Sequence, residues 1–278
     1  MNAVRLALGQ MLVEGGRREA NLRRAGEMIG EAARNDCRII VLPECLDLGW
    51  THPSARTLAE PIPGPTSGAL CQAAADHGVC VVAGITERAA DRIYNSAVLV
   101  DPEGAIRAVH RKINLLDIEQ DLYAIGDRLA VSDTPLGKIG VNICADNFPD
   151  SLALGHALAR MGAQMLLSPC AWAVPADHDP LREPYGDLWK RAYVPLARLY
   201  EMPVVGVSNV GRVAAGPWEG RKCIGCSMAV SGDGEILAQG SYGDSAAELI
   251  AISIHPSPRQ ARGTSIAAML REKGYDGP

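Results

Sequence analysis

Cys144, Glu44 and Lys112 are the residues of this chain whose types and placement could carry out acyl transfer. Cys144 lies where an alternating run, K-I-G-V-N-I-C, breaks into the polar turn A-D-N-F-P-D and then a helix. A thiol there sits at a strand end beside the unpaired N–H groups that open a helix, an arrangement expected to lower its pKa and present it to substrate. Glu44 ends the apolar run R-I-I-V-L-P-E, and Lys112 lies near the end of A-I-R-A-V-H-R-K-I. If the three strand ends share one edge, a nucleophile, a carboxylate base and an ammonium meet in one pocket. Taken singly, each has a plainer explanation: a Glu or Lys after a strand is usually solvated, and a Cys usually fills a core.

The chemistry asks for these residue types. Little of an unperturbed thiol is ionised at neutral pH, so Cys144 needs a base within reach. Glu44 serves if its own pKa rises in the partly apolar surroundings that I-I-V-L-P would provide. Attack on an amide carbon puts negative charge on oxygen, which Lys112 and the backbone N–H of Ala145 are placed to receive. After the amine departs a thioester remains, and Glu44 can activate the water that cleaves it, so one base serves both half-reactions.

The elements that must position these groups read as two similar halves. In the first, a strand from Val4 to Met11 leads to a helix from Asn21, whose Leu22, Ala25, Met28, Ile29 and Ala32 fall at helical spacing. A strand ending at Glu44, a helix from Ser67 stopped by Gly78, and a strand Val79 to Ile85 follow. A hairpin then pairs Ile93 to Val100 with Ala105 to Ile113 through the turn D-P-E-G. The second half runs in the same order: strand Lys138 to Cys144, a helix capped near Asp150 or Ser151, strand Gln164 to Pro169, helix Asp187 to Met202 and strand Val204 to Asn209. It closes with a hairpin turned by S-G-D-G and a last strand, Glu248 to Ile254. Two β-α-β-α-β-β-β units predict an α/β fold, a four-layer α-β-β-α sandwich of two mixed sheets.

Composition agrees with one sizeable soluble domain over residues 1–278. The chain is 47% hydrophobic and 21% charged, with a formal net charge of −5, and a chain this long supports a large core without disulfides or metal. Its eight cysteines carry no sign of secretion and are expected to be reduced thiols. No apolar run approaches the roughly 20 residues of a membrane span. The N-terminal stretch M-N-A-V-R-L-A-L-G-Q lacks a basic segment followed by a long apolar one, so a cytoplasmic location is expected. Mild acidity without a basic stripe, and only four Trp, seven Tyr and one Phe, argue against nucleic acid as a partner.

Two stretches look like pocket walls. Residues 45 to 66 contain Gly49, Trp50, His52 and P-I-P-G-P, and residues 171 to 186 contain Trp172, His178, Arg182 and Tyr185. Both follow a predicted strand, and loops beyond about 12 to 15 residues are uncommon unless functional. Trp172, His178 and Arg182 are therefore the candidates for recognising an aromatic ring, a polar head or a carboxylate.

At these residues the chain resembles the carbon-nitrogen hydrolase (nitrilase) superfamily. L-P-E around Glu44, H-R-K around Lys112 and I-C-A-D-N-F-P-D around Cys144 are similar to its Glu-Lys-Cys signature, and N-S-A-V-L-V-D-P-E-G to the hairpin ahead of its lysine. The resemblance implies an α-β-β-α fold, cofactor-free hydrolysis of a non-peptide C–N bond in a small amide or N-carbamoyl compound, and a homodimer or higher homo-oligomer. It assigns Cys144 as nucleophile, Glu44 as general base and Lys112 as the cation at the tetrahedral intermediate. Glu119, in E-Q-D-L-Y-A-I-G-D, matches the second glutamate of the amidase and carbamoylase branches, where it would position the substrate nitrogen or tune Lys112. The chain departs from that pattern at His110, where a tyrosine is common, and at Ile125, where a proline is usual.

Other motifs carry less. Cys223 and Cys226 have C-x-x-C spacing but no second pair or histidines for zinc, no G-x-S-x-G elbow is present, and His110, beside Arg111 and Lys112, makes a poor partner for a Cys-His pair. Asp146 reads as a turn and helix-start residue. Within the resemblance the rival activity is nitrile hydrolysis, for which Cys144-Ala145-Asp146 stands in place of the Cys-Trp-Glu that nitrilases share. A catalytically silent binding scaffold is the rival outside it.

Overall fold

A computed structural model describes residues 3–257 and 266–275. The first half runs β1 (Val4–Gln10), α1 (Arg18–Arg34), β2 (Ile39–Val41), α2 (Ala55–Leu58), α3 (Pro65–His77), β3 (Cys80–Ala89), β4 (Arg92–Val100) and β5 (Ile106–Arg111). The second contains β6 (Val131–Thr134), β7 (Gly137–Val141), α4 (Leu152–Arg160), β8 (Met165–Cys170), β9 (Ala173–Val174), α5 (Asp187–Tyr200), β10 (Val204–Ser208), β11 (Val210–Arg212), β12 (Lys222–Ile224), β13 (Met228–Val230), β14 (Ile236–Gln239), β15 (Glu248–Ile254) and α6 (Ile266–Glu272). The described strands form two six-stranded sheets, ordered β15-β1-β2-β3-β4-β5 and β14-β13-β10-β8-β7-β6, and a small sheet β11-β12-β9. Both large sheets are mixed: β1, β2 and β3 run parallel, as do β7, β8 and β10, and the outer pairs are antiparallel.

Side-chain alternation explains the layering. Leu6, Leu8, Ile39, Val41, Cys80 and Val82 share one core with Ile139, Val141, Met165 and Leu167 of the second sheet. Their sequence neighbours Ala7, Ile40, Val81 and Ala83 face the opposite way, onto Ala25, Ile29 and Ala32 of α1 and Leu70 and Ala74 of α3. The far face of the second sheet meets Leu158 of α4 and Trp189, Leu196 and Ala197 of α5. This is the predicted α-β-β-α order, with both central strands of each sheet buried on two faces.

Strand ownership differs from the two-half reading. β15 pairs antiparallel with β1, from Val4 opposite Ile254 to Gln10 opposite Glu248, so the last strand completes the first sheet rather than the second. The second sheet gains its sixth strand from β6, which pairs with β7 and was not predicted. Val131-Ser132-Asp133-Thr134 is a short polar edge with little apolar alternation, and an alternating strand such as β15 announces a half-buried face without naming its neighbour. The first helix also begins at Arg18, three residues before Asn21. Asn21 looks like a cap but is buried in the helix, donating to the Glu14 and Asp47 carbonyls and accepting from the Glu14 N–H.

Among the described residues no helix is long and apolar enough to cross a membrane.

Candidate active site

Glu44, Lys112 and Cys144 each stand just past the C-terminal end of a strand, after β2, β5 and β7 respectively. The Glu44 turn is pinned between sheets: its N–H donates to the Cys170 carbonyl at 3.1 Å, and it lies so close to β3 that a Cβ on Gly84 would come within 2.5 Å of the Glu44 Cα. Lys112 extends the β4–β5 ladder, its N–H donating to the Asn95 carbonyl at 2.8 Å, and its carbonyl receives the Gly126 N–H at 2.8 Å. Cys144 opens a 3-10 turn over Cys144–Asn147 with φ of +43°, a left-handed backbone rare for a residue with a side chain. Its N–H donates to the Ser168 hydroxyl at 3.0 Å.

The two carboxylates converge on one ammonium. Lys112 Nζ donates to Glu44 Oε1 at 2.8 Å and to Glu119 Oε1 and Oε2 at 2.9 and 2.8 Å, with all three side chains buried. Glu119 also accepts from the Trp50 indole at 2.8 Å, from Asn95 Nδ2 at 3.2 Å and from the Leu116 N–H at 2.9 Å. Asn95 Nδ2 donates to Glu44 Oε1 as well, at 2.6 Å. Glu44 Oε2, by contrast, is buried with no hydrogen-bond partner among the described residues.

The electrostatics follow from this burial. Burial works against the charge on Lys112, yet Glu119 and Glu44 hold its pKa well above the usual lysine value. Burial raises the Glu44 pKa; Lys112 opposes that rise and the Glu119 charge adds to it. The Cys144 thiol is pushed up strongly, by burial first and then by the neighbouring Cys170 thiol and the charge of Glu44, with Lys112 pulling the other way. This corrects the expectation that helix N–H groups lower the thiol pKa. The following element is a single 3-10 turn, too short to offset full burial, so the resting nucleophile is a thiol that must hand its proton to a base.

Sequence reasoning missed the residues that lock the turn. Asp146 is no simple helix-start residue: it accepts from the N–H groups of Ile143, Ile113 and Asn114 and from His110 Nε2, at 2.8 to 3.1 Å. It thus ties the segment after Lys112 to the Cys144 turn. Asn114 Nδ2 donates to the Ala145 carbonyl at 2.7 Å, and Asn142 and Asn147 pair reciprocally, Asn147 reaching Ser168 too. A signal existed for Asn95 and Asp146: both are polar residues inside otherwise apolar or motif-bearing runs.

The other predicted site residues are distributed unevenly. Ala145 lies in the first turn of the 3-10 segment, where amide donors have no intrahelical acceptor. Trp172 is buried, stacked on Trp189 with ring centroids 4.6 Å apart, and its indole N–H has no partner among the described residues. His178 is mostly buried, with Nδ1 2.8 Å from the Tyr242 hydroxyl. Arg182 does not join them: its side chain is 89% exposed and pairs with Asp179 at 3.5 Å. A long loop with a polar head at its tip gives no sequence cue to which way that head turns. Cys223 lies in β12 and Cys226 just beyond it; all eight cysteines are unbridged. Among the described residues no group of three or more His, Cys, Asp or Glu is arranged to hold a metal.

Comparison with known proteins places this chain in a family. The carbon-nitrogen hydrolase from Helicobacter pylori G27 has the same fold, with a TM-score of 0.81 at 20% identity over 98% of this chain and 93% of that one. The nitrilase of Pyrococcus abyssi is 34% identical over 233 residues, 80% of this chain and 79% of that protein. The omega-amidase NIT2 of Xenopus tropicalis is 34% identical over 183 residues, 62% of this chain and 65% of the relative, so the match spans less than two thirds of that protein's length. The family model for carbon-nitrogen hydrolases matches residues 5–258, and the chain belongs to the carbon-nitrogen hydrolase family.

Proposed function

We propose that this protein hydrolyses the C–N bond of a small amide or N-carbamoyl compound through a thioester on Cys144. The observation that carries the reading is the buried Glu44–Lys112–Glu119 cluster, whose Glu44 and Lys112 charges act on Cys144 and in which, among the described residues, Glu44 alone has an oxygen without a partner. Glu44 Oε2 takes the Cys144 proton as sulfur attacks the carbonyl carbon. The oxyanion that forms is met by the Lys112 ammonium and the Ala145 N–H, and losing one such donor costs roughly 2.7 to 4 kcal/mol of transition-state stabilisation. Collapse expels the amine, which leaves with the proton held by Glu44. Water enters on the vacated side, loses a proton to the same carboxylate and attacks the thioester carbon; the C–S bond breaks, and Glu44 returns that proton to the Cys144 sulfur as the acid leaves. Glu119, with every lone-pair direction occupied, orients Lys112 rather than moving protons. Trp172 and His178 wall the acyl side. No cofactor takes part in these steps, and we propose a homodimer or larger homo-oligomer, to be read from the solution mass.

Nitrile hydrolysis is a second reading, favoured by the match to the Pyrococcus abyssi nitrilase across 80% of the chain. The two separate by comparing kcat/KM for matched amide, carbamoyl and nitrile derivatives of one acid. We expect the amide or carbamoyl derivative to be preferred at least tenfold, because its oxygen meets Lys112 at once whereas a thioimidate nitrogen must first be protonated. Faster turnover of the nitrile would overturn the choice.

A further inference from the structure

Cys170 ends β8, the strand beside β7, and Cys144 stands in the turn that follows β7. β7 and β8 are parallel, with Ile139 opposite Met165, Gly140 opposite Leu166 and Val141 opposite Leu167. The pairing extends one residue past β7, where the Asn142 N–H reaches the Leu167 carbonyl at 3.4 Å, so the turn bearing Cys144 leaves the sheet beside the end of β8 that bears Cys170. A disulfide spans roughly 4.4 to 6.8 Å between α-carbons, a range that the spacing of adjacent strand ends, about 4.7 to 4.9 Å within the sheet, brings within reach. The Ser168 hydroxyl draws the pair together, accepting the Cys144 N–H at 3.0 Å and the Cys170 thiol at 3.6 Å. The acylation chemistry uses Cys144 and leaves Cys170, fully buried, without a task.

We propose that Cys170 is a resolving thiol for Cys144, and that a peroxide converts the pair to a reversible Cys144–Cys170 disulfide. In the first step the Cys144 sulfur attacks the O–O bond of a hydroperoxide. A sulfenic acid forms on Cys144, sulfur is oxidised by two electrons, and the second oxygen leaves as an alcohol, or as water from hydrogen peroxide, with the former thiol proton. In the second, the Cys170 sulfur attacks the Cys144 sulfur. The S–O bond breaks, the hydroxyl departs as water with the Cys170 proton, and the S–S bond forms. Two thiols have then lost two hydrogens to one peroxide. The nucleophile is blocked, but it is kept from the sulfinic acid, which thiols do not reverse. Cys223 and Cys226 do not compete on this geometry, since neither lies on a strand adjacent to β7.

The proposal rests on Cys144 being the catalytic thiol, and its test reads the bond itself as well as activity. The full chain is treated with hydrogen peroxide, alkylated and digested without reductant. The expected product is the Cys144 peptide joined to the Cys170 peptide, two hydrogens lighter than their sum. Activity should fall at least tenfold and return to within twofold of its starting value on adding dithiothreitol. In Cys170→Ser the same treatment should leave Cys144 as sulfinic or sulfonic acid, with less than a tenth of the lost activity recovered. Oxidised wild-type protein that carries Cys144 sulfinic acid, or Cys144 joined to Cys223 or Cys226, overturns the proposal without reference to how the variant folds. A Cys144–Cys170 link that leaves hydrolysis intact would instead overturn Cys144 as nucleophile.

Discussion

Glu44 and Glu119 hold the same ammonium, that of Lys112, and differ in what remains of each carboxylate. Both oxygens of Glu119 are occupied, by Lys112, Trp50, Asn95 and the Leu116 N–H. Glu44 spends Oε1 on Lys112 and Asn95, while its buried Oε2 accepts nothing among the described residues. A group that must receive a proton needs an open lone pair, and a group that must hold a cation in place does better with none. The sequence motif names two glutamates; the hydrogen-bond inventory separates their duties.

That contrast predicts different failures for the two isosteric changes. Glu44→Gln keeps an oxygen for Lys112 and Asn95 and turns its amide toward the open side, so kcat/KM should fall by about 10²-fold or more with little change in Tm. Glu119→Gln sets an NH2 against N–H donors that have nowhere else to turn, and should cost about 1 to 3 kcal/mol of stability. Thermal melts beside steady-state rates check both. Equal rate losses with an unchanged Tm in each would remove the distinction.

The raised Glu44 pKa sets the acidic limb of the rate. The base works only when ionised, and burial holds its carboxyl above the usual glutamate value of about 4.5. A plot of kcat/KM against pH should therefore fall on the acid side at a pH above that of an ordinary glutamate. A limb at or below about 4.5 would place the base elsewhere.

Much of this arrangement is legible in the residues, for physical reasons that also mark where legibility stops. Glu44, Lys112 and Cys144 each follow a strand-forming run, so three strand ends bearing chemistry are foreseeable from pattern; that β2 and β5 bring two of them from one sheet and β7 the third from the facing sheet is not. Asp146 is different: its four donors come from residues 110 to 143, and only the folded backbone brings Ile113 and Asn114 to the Cys144 turn. The partner of β15 is equally invisible, because alternation reports a face and not a neighbour. Arg182 fails for the same reason in a loop, where no core constrains the direction of a long polar side chain.

Cys144→Ala should abolish hydrolysis and leave the fold. The side chain is small and the strained φ of +43° is carried equally by alanine, so circular dichroism and Tm should change little. Residual turnover above a few per cent of wild type would take Cys144 out of the mechanism.

Asp47 predicts a stability that declines toward alkaline pH. It is buried, Oδ1 accepts from the Thr86 N–H and hydroxyl, Oδ2 has no partner among the described residues, and burial pushes its carboxyl up to about 6. A carboxyl whose pKa is higher folded than unfolded binds its proton more tightly in the native state. Its contribution is whole below the unfolded value near 4 and is lost as pH rises through about 6, by on the order of 3 kcal/mol. Asp47→Asn should remove that dependence and raise Tm at pH 8 relative to wild type. Denaturant unfolding from pH 4 to 8 checks it, and parallel pH profiles for the two proteins would refute it.

Asp146 predicts the opposite slope and a separate effect on rate. Burial favours its neutral form, but the hydrogen bond and charge of His110 and the N–H groups of Asn114 and Ile143 outweigh burial and hold the carboxyl below the usual aspartate range. Its stabilisation is present above the unfolded pKa and is lost as pH falls through the lower folded one. Because it ties the segment after Lys112 to the turn bearing Cys144, removing it should loosen the distance between oxyanion donor and nucleophile as well as the fold. Asp146→Ala, which strands three backbone N–H groups, should lower kcat by about 10- to 100-fold, the size of effect that small misplacements of reacting groups produce, with KM changed by less than about threefold. Asp146→Asn keeps one oxygen for those donors and should recover part of the loss. The check is kcat and KM at a temperature well below each variant's Tm, so that unfolded protein does not contribute. If Asp146→Ala melts early but turns over at the wild-type rate while folded, the contact stabilises the turn without aligning the chemistry.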